Sequence, residues 1–149
     1  MFSNKNKVVA DNIINYTIYD EIDVEDRVFV TWNMFEEAME TLHGKLIDHQ
    51  KEKQLEFDAI YAPPRGGLCL GVKLSYMTKI PLITDPSKVT SSTVVIDDCT
   101  KSGKTMMPFR DNVTLVMFQH PKSVFTPTIY YQETDKQINF CWESKDERN

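Results

Sequence analysis

The sequence predicts an α/β protein built on a mainly parallel sheet with both faces covered. Three observations predict it. Short apolar runs alternate with segments whose apolar residues recur at helical spacing. The runs are nearly continuous rather than alternating in and out, as strands buried on both sides are. Two glycine-containing loops, PPRGG and DDCTKSGKT, each directly follow such a run, at the edge where sheets of this kind bind ligands.

The elements follow in order. Residues 1–26 are polar and acidic, with a short β-prone patch at Tyr16–Tyr19. The run Asp20, Glu21, Asp23, Glu25, Asp26 reads as a solvated loop rather than a metal site. RVFVT, Arg27 to Thr31, is a first strand. Asn33 with Glu36 has the spacing of a capping box, and Phe35, Ala38, Met39, Leu42, Leu46 and Ile47 then mark one buried helix face. FDAIYA, Phe57 to Ala62, is a second strand and runs into PPRGG. A second helix spans Gly67 to Lys79. IPLIT is a third strand, stopped by Asp85-Pro86, and TVVI, Thr93 to Ile96, a fourth. A short helix follows Ser102 and breaks near Pro108. VTLVMFQ, Val113 to Gln119, is a fifth strand, and the tail holds two more β-prone stretches, TIYYQ and INFCWE.

Bulk properties narrow the function. A length of 149 residues suits one domain. The net charge of −5 gives no basic field for nucleic acid. No apolar run approaches the roughly 20 residues of a membrane span. Three cysteines far apart, Cys69, Cys99 and Cys141, form neither a disulfide framework nor a zinc site. With a start that lacks the apolar core of a signal peptide, they point to the cytoplasm.

The stretch VVIDDCTKSGKT ends like a nucleotide-triphosphatase P-loop. A P-loop needs a glycine five residues before Gly103, and Asp98 stands there. A carboxylate at that place repels a triphosphate. The same residues suit a single phosphate better. Backbone N–H groups from Thr100 to Thr105, the hydroxyls of Thr100, Ser102 and Thr105, and an adjoining helix N-terminus make an anion nest. Asp97 and Asp98 beside it can accept hydrogen bonds from vicinal hydroxyls. The predicted ligand is a sugar phosphate.

An apolar strand, two acidic residues and a Thr/Ser-Gly-x-Thr loop are the signature of the type I phosphoribosyltransferases, which VVIDDCTKSGKTM resembles. RVFVTWNM, APPRGG and FCWE are most similar to the bacterial xanthine-guanine and related purine enzymes. The resemblance runs from about Arg27 to Glu143. It implies a Rossmann-like five-stranded sheet flanked by helices, with a small hood from the terminal segments. It implies one domain over residues 1–149, in which 1–26 are an N-terminal extension and a candidate part of the hood. It implies transfer of ribose 5-phosphate from phosphoribosyl pyrophosphate (PRPP) to a purine-like base, with Mg²⁺ and release of pyrophosphate, and commonly a homo-oligomer. Asp97 and Asp98 would hold the ribose hydroxyls and meet the metal mainly through the ligand. Thr100, Lys101, Ser102, Gly103, Lys104 and Thr105 would cradle the 5′-phosphate. Pro64, Arg65, Gly66 and Gly67 match the pyrophosphate loop, with a cis peptide at Pro64–Arg65. There Arg65 can stabilise leaving-group charge.

The base-handling positions depart from the purine pattern. Lys101 replaces the aspartate that handles the proton on the base. His120, with Lys122 two residues on, takes the place of a base-contacting lysine. Gln137 and Ile138 stand where an aromatic ring stacks, leaving Phe140 and Trp142 as substitutes. Between Ile83 and Thr93 only a short segment, with Ser87, Lys88 and Ser91, remains to form a lid. A PRPP- or nucleotide-binding protein on the same fold, regulatory or catalytically reduced, is the alternative these departures raise.

Overall fold

A computed structural model of the chain describes residues 26–143. The expected extension, its patch at Tyr16–Tyr19 and the acidic run up to Glu25 lie outside the described residues. Two compact units are formed. One is Trp32–Asp135; the other combines Met1–Thr31 with Lys136–Asn149.

The larger unit holds a five-stranded parallel sheet. Its strands are β2 (Ala59–Tyr61), β3 (Leu82–Ile83), β4 (Thr93–Thr100), β5 (Thr114–Gln119) and β6 (Ile129–Glu133), in the order β3-β2-β4-β5-β6. All four pairings are parallel. Two helices, α1 (Trp32–Lys53) and α2 (Leu68–Thr78), pack on one another and on these strands. In α1 the buried residues are Phe35, Ala38, Met39, Leu42 and Leu46, the face the spacing predicted. The helix already begins at Trp32, so Asn33 lies inside it and does not cap it.

Strand alternation splits the sheet into two faces. Tyr61, Val95 and Val116, from three neighbouring strands, cluster with Met106 and Phe125. Ile83, Val89, Met107 and Phe109 pack against that cluster. Its cover is therefore loop and a 3-10 turn, Met107–Phe109, rather than an α-helix. The helix expected after Ser102 does not form. Pro108 stops it by lacking an N–H and clashing with the preceding turn, so that only the three-residue turn is left.

The smaller unit contains the strand expected first, β1 (Arg27–Val30), paired in parallel with β7 (Gln137–Phe140). The fifth place in the main sheet belongs instead to β6, from the β-prone TIYYQ stretch. Arg27 Nη1 donates to Asn139 Oδ1 at 3.2 Å across the β1–β7 pair, and Phe140 stacks on Trp142 with ring centroids 4.8 Å apart. Trp142 and Phe140 are thereby engaged with each other.

Candidate functional site

Strand β4 runs four residues beyond Ile96, carrying both aspartates within the sheet. Asp97 is buried and Asp98 half-buried. Each carboxylate is turned back on the chain. Asp97 Oδ1 accepts from the Asp98 N–H at 2.8 Å, and Asp98 Oδ1 from the Cys99 N–H at 2.7 Å. Burial, and next the adjacent Asp98, push the Asp97 carboxyl up to about 8. Burial raises Asp98 as well. Two like charges in a poorly solvated corner resist ionising together.

The loop after β2 packs directly on this corner. A Cβ on Gly66 would overlap the Asp98 carboxylate, and one on Gly67 would stand 3.0 Å from Asp97 Oδ1 and 2.9 Å from the Ile96 carbonyl oxygen. Only glycine permits this approach. The Pro64–Arg65 peptide is cis, in keeping with the resemblance. Pro64 and Arg65 are exposed, and the Arg65 carbonyl accepts from the Leu68 N–H at 3.2 Å as α2 begins. Cys69, in the first turn of α2, has its thiol raised by burial and then by the Asp98 charge. The two sequence motifs thus meet at the carboxyl ends of adjacent strands, β2 and β4.

The loop expected to cradle a phosphate differs from its expected form in two respects. It has no helix behind it, so no helix dipole contributes. The Thr100 hydroxyl is buried and donates to Gln119 Oε1, which leaves Ser102 and Thr105 as its exposed hydroxyls. Gly103 adopts φ +90°. No hydrogen bond within the protein engages the Ser102, Gly103 or Thr105 N–H among the described residues, whereas the Lys104 N–H reaches Ser102 Oγ at 3.3 Å. Lys101 and Lys104 are exposed.

A second loop, 120–125, lies alongside. The His120 N–H donates to the Thr100 carbonyl at 3.1 Å and the Val124 N–H to the Ser102 carbonyl at 3.0 Å. His120 Nδ1 accepts from the Lys122 N–H at 3.0 Å, so neutral His120 carries its proton on Nε2. His120 and Lys122 therefore flank the Thr100 to Thr105 loop. Gln137 and Ile138 belong to the smaller unit, on β7. The segment expected as a lid is pinned. Asp85 Oδ1 accepts from the Ser87 N–H at 3.0 Å and its hydroxyl at 2.8 Å, and Asn112 Nδ2 donates to the Thr90 carbonyl at 2.7 Å. Sequence reasoning missed Gln119 and Ser123. The one signal was a glutamine closing β5 after the apolar run Leu115 to Phe118.

Among the described residues, no group of three or more His, Cys, Asp or Glu side chains could hold a metal by itself. Two adjacent carboxylates still fit Mg²⁺, which takes one or two protein carboxylates and completes its shell from ligand phosphates and water.

No family model matches the sequence, and no curated protein does. Solved structures do. A purine phosphoribosyltransferase from Pyrococcus horikoshii matches with a TM-score of 0.67 at 24% identity, over 80% of this chain and 95% of that one. The xanthine-guanine-hypoxanthine phosphoribosyltransferase of Helicobacter pylori gives 0.62 at 15%, over 81% and 96%. A hypothetical protein from Neisseria gonorrhoeae with bound ppGpp gives 0.64 at 17%, over 83% and 94%. With its parallel sheet, paired aspartates and glycine loops in place, the chain has the type I phosphoribosyltransferase fold.

Proposed function

We propose that the chain is a phosphoribosyltransferase that moves ribose 5-phosphate from PRPP to a purine-like base and releases pyrophosphate. The observation that carries this reading is the packing of Gly66 and Gly67 against Asp98 and Asp97. That packing puts a cationic loop and two hydroxyl-accepting carboxylates at one sheet edge, next to open backbone N–H donors. Sugar hydroxyls would hydrogen-bond to Asp97 and Asp98. The N–H groups of Ser102, Gly103 and Thr105 would hold the 5′-phosphate, helped by Lys101 and Lys104. Arg65 would sit against the departing pyrophosphate, where a guanidinium stabilises growing charge. Mg²⁺, held by Asp97 and Asp98 together with the ligand, would neutralise phosphate oxygens. Hydroxyl donors, or the cation, would also favour ionised carboxylates and reverse the upward shift at this corner. His120 belongs to the base-binding part of this proposal.

A second reading has its own observation. Lys101 stands where the resemblance expects a proton-handling carboxylate, and an ammonium has no lone pair with which to accept that proton. A PRPP- or nucleotide-binding protein without turnover would tolerate this change. The gonococcal neighbour is described by the nucleotide it binds. Pyrophosphate release from PRPP with a panel of purines and orotate separates the two. Release with one base that falls at least a hundredfold in Asp98→Asn supports the enzyme. PRPP binding abolished by Asp98→Asn, with no release from any base, supports the binding protein. Failure to bind either PRPP or GMP sinks both.

A further inference from the structure

Gln119 is the last residue of β5 and is 6% exposed; Thr100, its register partner and the last residue of β4, is 3% exposed. The Thr100 hydroxyl donates to Gln119 Oε1. On its other side Gln119 Nε2 donates to the Phe125 carbonyl at 2.8 Å. A carbonyl only accepts, so the Phe125 contact fixes which end of the amide is nitrogen, and the oxygen must face Thr100. Both ends of one buried amide are therefore used, and they tie different loops. Thr100 opens the phosphate loop, and Phe125 closes the loop that carries His120 and Lys122.

The two loops are also fitted to each other. A Cβ on Gly103 would lie 2.7 Å from the Phe125 nitrogen and 2.8 Å from its Cβ. Ser123 Oγ accepts from the Phe125 N–H at 3.1 Å and donates to the Phe125 carbonyl at 3.0 Å, so that carbonyl receives both Ser123 and Gln119. The Val124 N–H holds the Ser102 carbonyl. Ser102 and Gly103, whose N–H groups remain open, thus rest on a platform that Gln119 secures.

We infer that Gln119 is a positioning residue. By bridging Thr100 and Phe125 it sets the conformation in which the loop's open N–H groups converge on a phosphate, and joins that loop to the one bearing His120 and Lys122. It acts through Thr100 and Phe125 and touches no ligand itself. This inference rests on the phosphate-binding reading given above.

The test uses the full chain and GMP as probe, with affinity measured by calorimetry and folding by thermal melting. Gln119→Glu keeps the shape but sets an oxygen against the Phe125 carbonyl. Thr100→Val keeps the shape but removes the hydroxyl, and Thr100→Ser restores it. The expected result is a GMP Kd about tenfold higher in Gln119→Glu and Thr100→Val, within twofold of wild type in Thr100→Ser, with cooperative melting in all three. A merely structural tie would lower the melting temperature of the first two and leave the Kd unchanged. That outcome overturns the inference, as does Thr100→Ser binding as weakly as Thr100→Val. Should Gln119→Glu not fold, the valine–serine pair at Thr100 decides alone. If wild type binds neither GMP nor PRPP, the phosphate-site reading itself falls and takes this inference with it. Equal binding by wild type and variants removes only the role of Gln119.

Discussion

The carboxylate corner on β4 and the loop that leaves the end of that strand lie a few residues apart and are built on opposite plans. At the corner, Asp97 is buried, its ionisation is suppressed, and two glycines press against the carboxylates with no room for a methyl group. In the loop, Lys101, Ser102, Lys104 and Thr105 are exposed, and among the described residues nothing engages the Ser102, Gly103 and Thr105 N–H groups. One region confines negative charge at a cost in stability, and the other is open to receive it from a ligand. The difference suggests a division of work. The corner sets geometry and the loop supplies affinity, so substitutions in the two regions should fail in different ways.

The largest expected effect tests the corner. In Gly66→Ala the new methyl overlaps the Asp98 carboxylate, which is the movable end of a side chain. The backbone can therefore survive while the carboxylate leaves its Cys99 N–H. Displacement of about 1 Å costs on the order of a hundredfold in rate. Pyrophosphate release should fall by about that factor while the melting temperature drops only a few degrees. Equal losses in both would show that the corner is scaffolding. Next comes Asp97→Asn, which should stabilise the protein. A folded-state pKa raised to about 8 contributes stability that is fully present below the unfolded pKa of about 4 and is lost as pH rises towards 8. Asparagine removes that loss and keeps an oxygen for the Asp98 N–H, although its buried NH₂ gains no evident partner. The expected gain is absent below pH 4, grows as pH rises and is largest at pH 8, read from melts across that range. Wild type melting at one temperature from pH 4 to 8 would refute the account.

Legibility followed the same boundary. The corner was readable because its parts are contiguous: two aspartates end an apolar run, two glycines end another, and parallel strands bring such ends together. Most elements were readable for a similar reason, since Phe35, Ala38, Met39, Leu42 and Leu46 share one face of one helix. The loop was misread where its structure depends on distant residues. Thr100 looked like a ligand donor, yet a strand neighbour 19 residues away takes its hydroxyl. The helix after Ser102 seemed a natural continuation of strand and loop, but Pro108 outweighs the local pattern. The place of β1 beside β7 was hidden too, because strand order is a long-range choice among similar apolar runs.

Two smaller effects test the loop. Gly103 has φ +90° and its missing Cβ faces the Phe125 backbone, so Gly103→Ala carries strain and a clash together. A stability loss of about 1–2 kcal/mol is expected. GMP affinity should fall about tenfold as the N–H groups turn away; unchanged affinity would mean that they do not hold the ligand.

Lys104→Ala should do least, and for that reason it discriminates well. In a P-loop, this lysine would be a principal phosphate contact and its loss would abolish binding. Here the side chain is exposed, and an exposed charge in physiological salt is worth under about 1 kcal/mol. Its backbone N–H, which the substitution preserves, already goes to Ser102 Oγ. If open backbone donors provide most of the affinity, GMP Kd should rise less than about threefold, and the rise should shrink further in high salt, because screening removes the lysine's share from wild type. A rise of tenfold or more that persists in high salt would make the side chain a direct, desolvated ligand contact. The loop would then hold its anion by charge, and the contrast with the confined carboxylate corner would be one of sign rather than of plan.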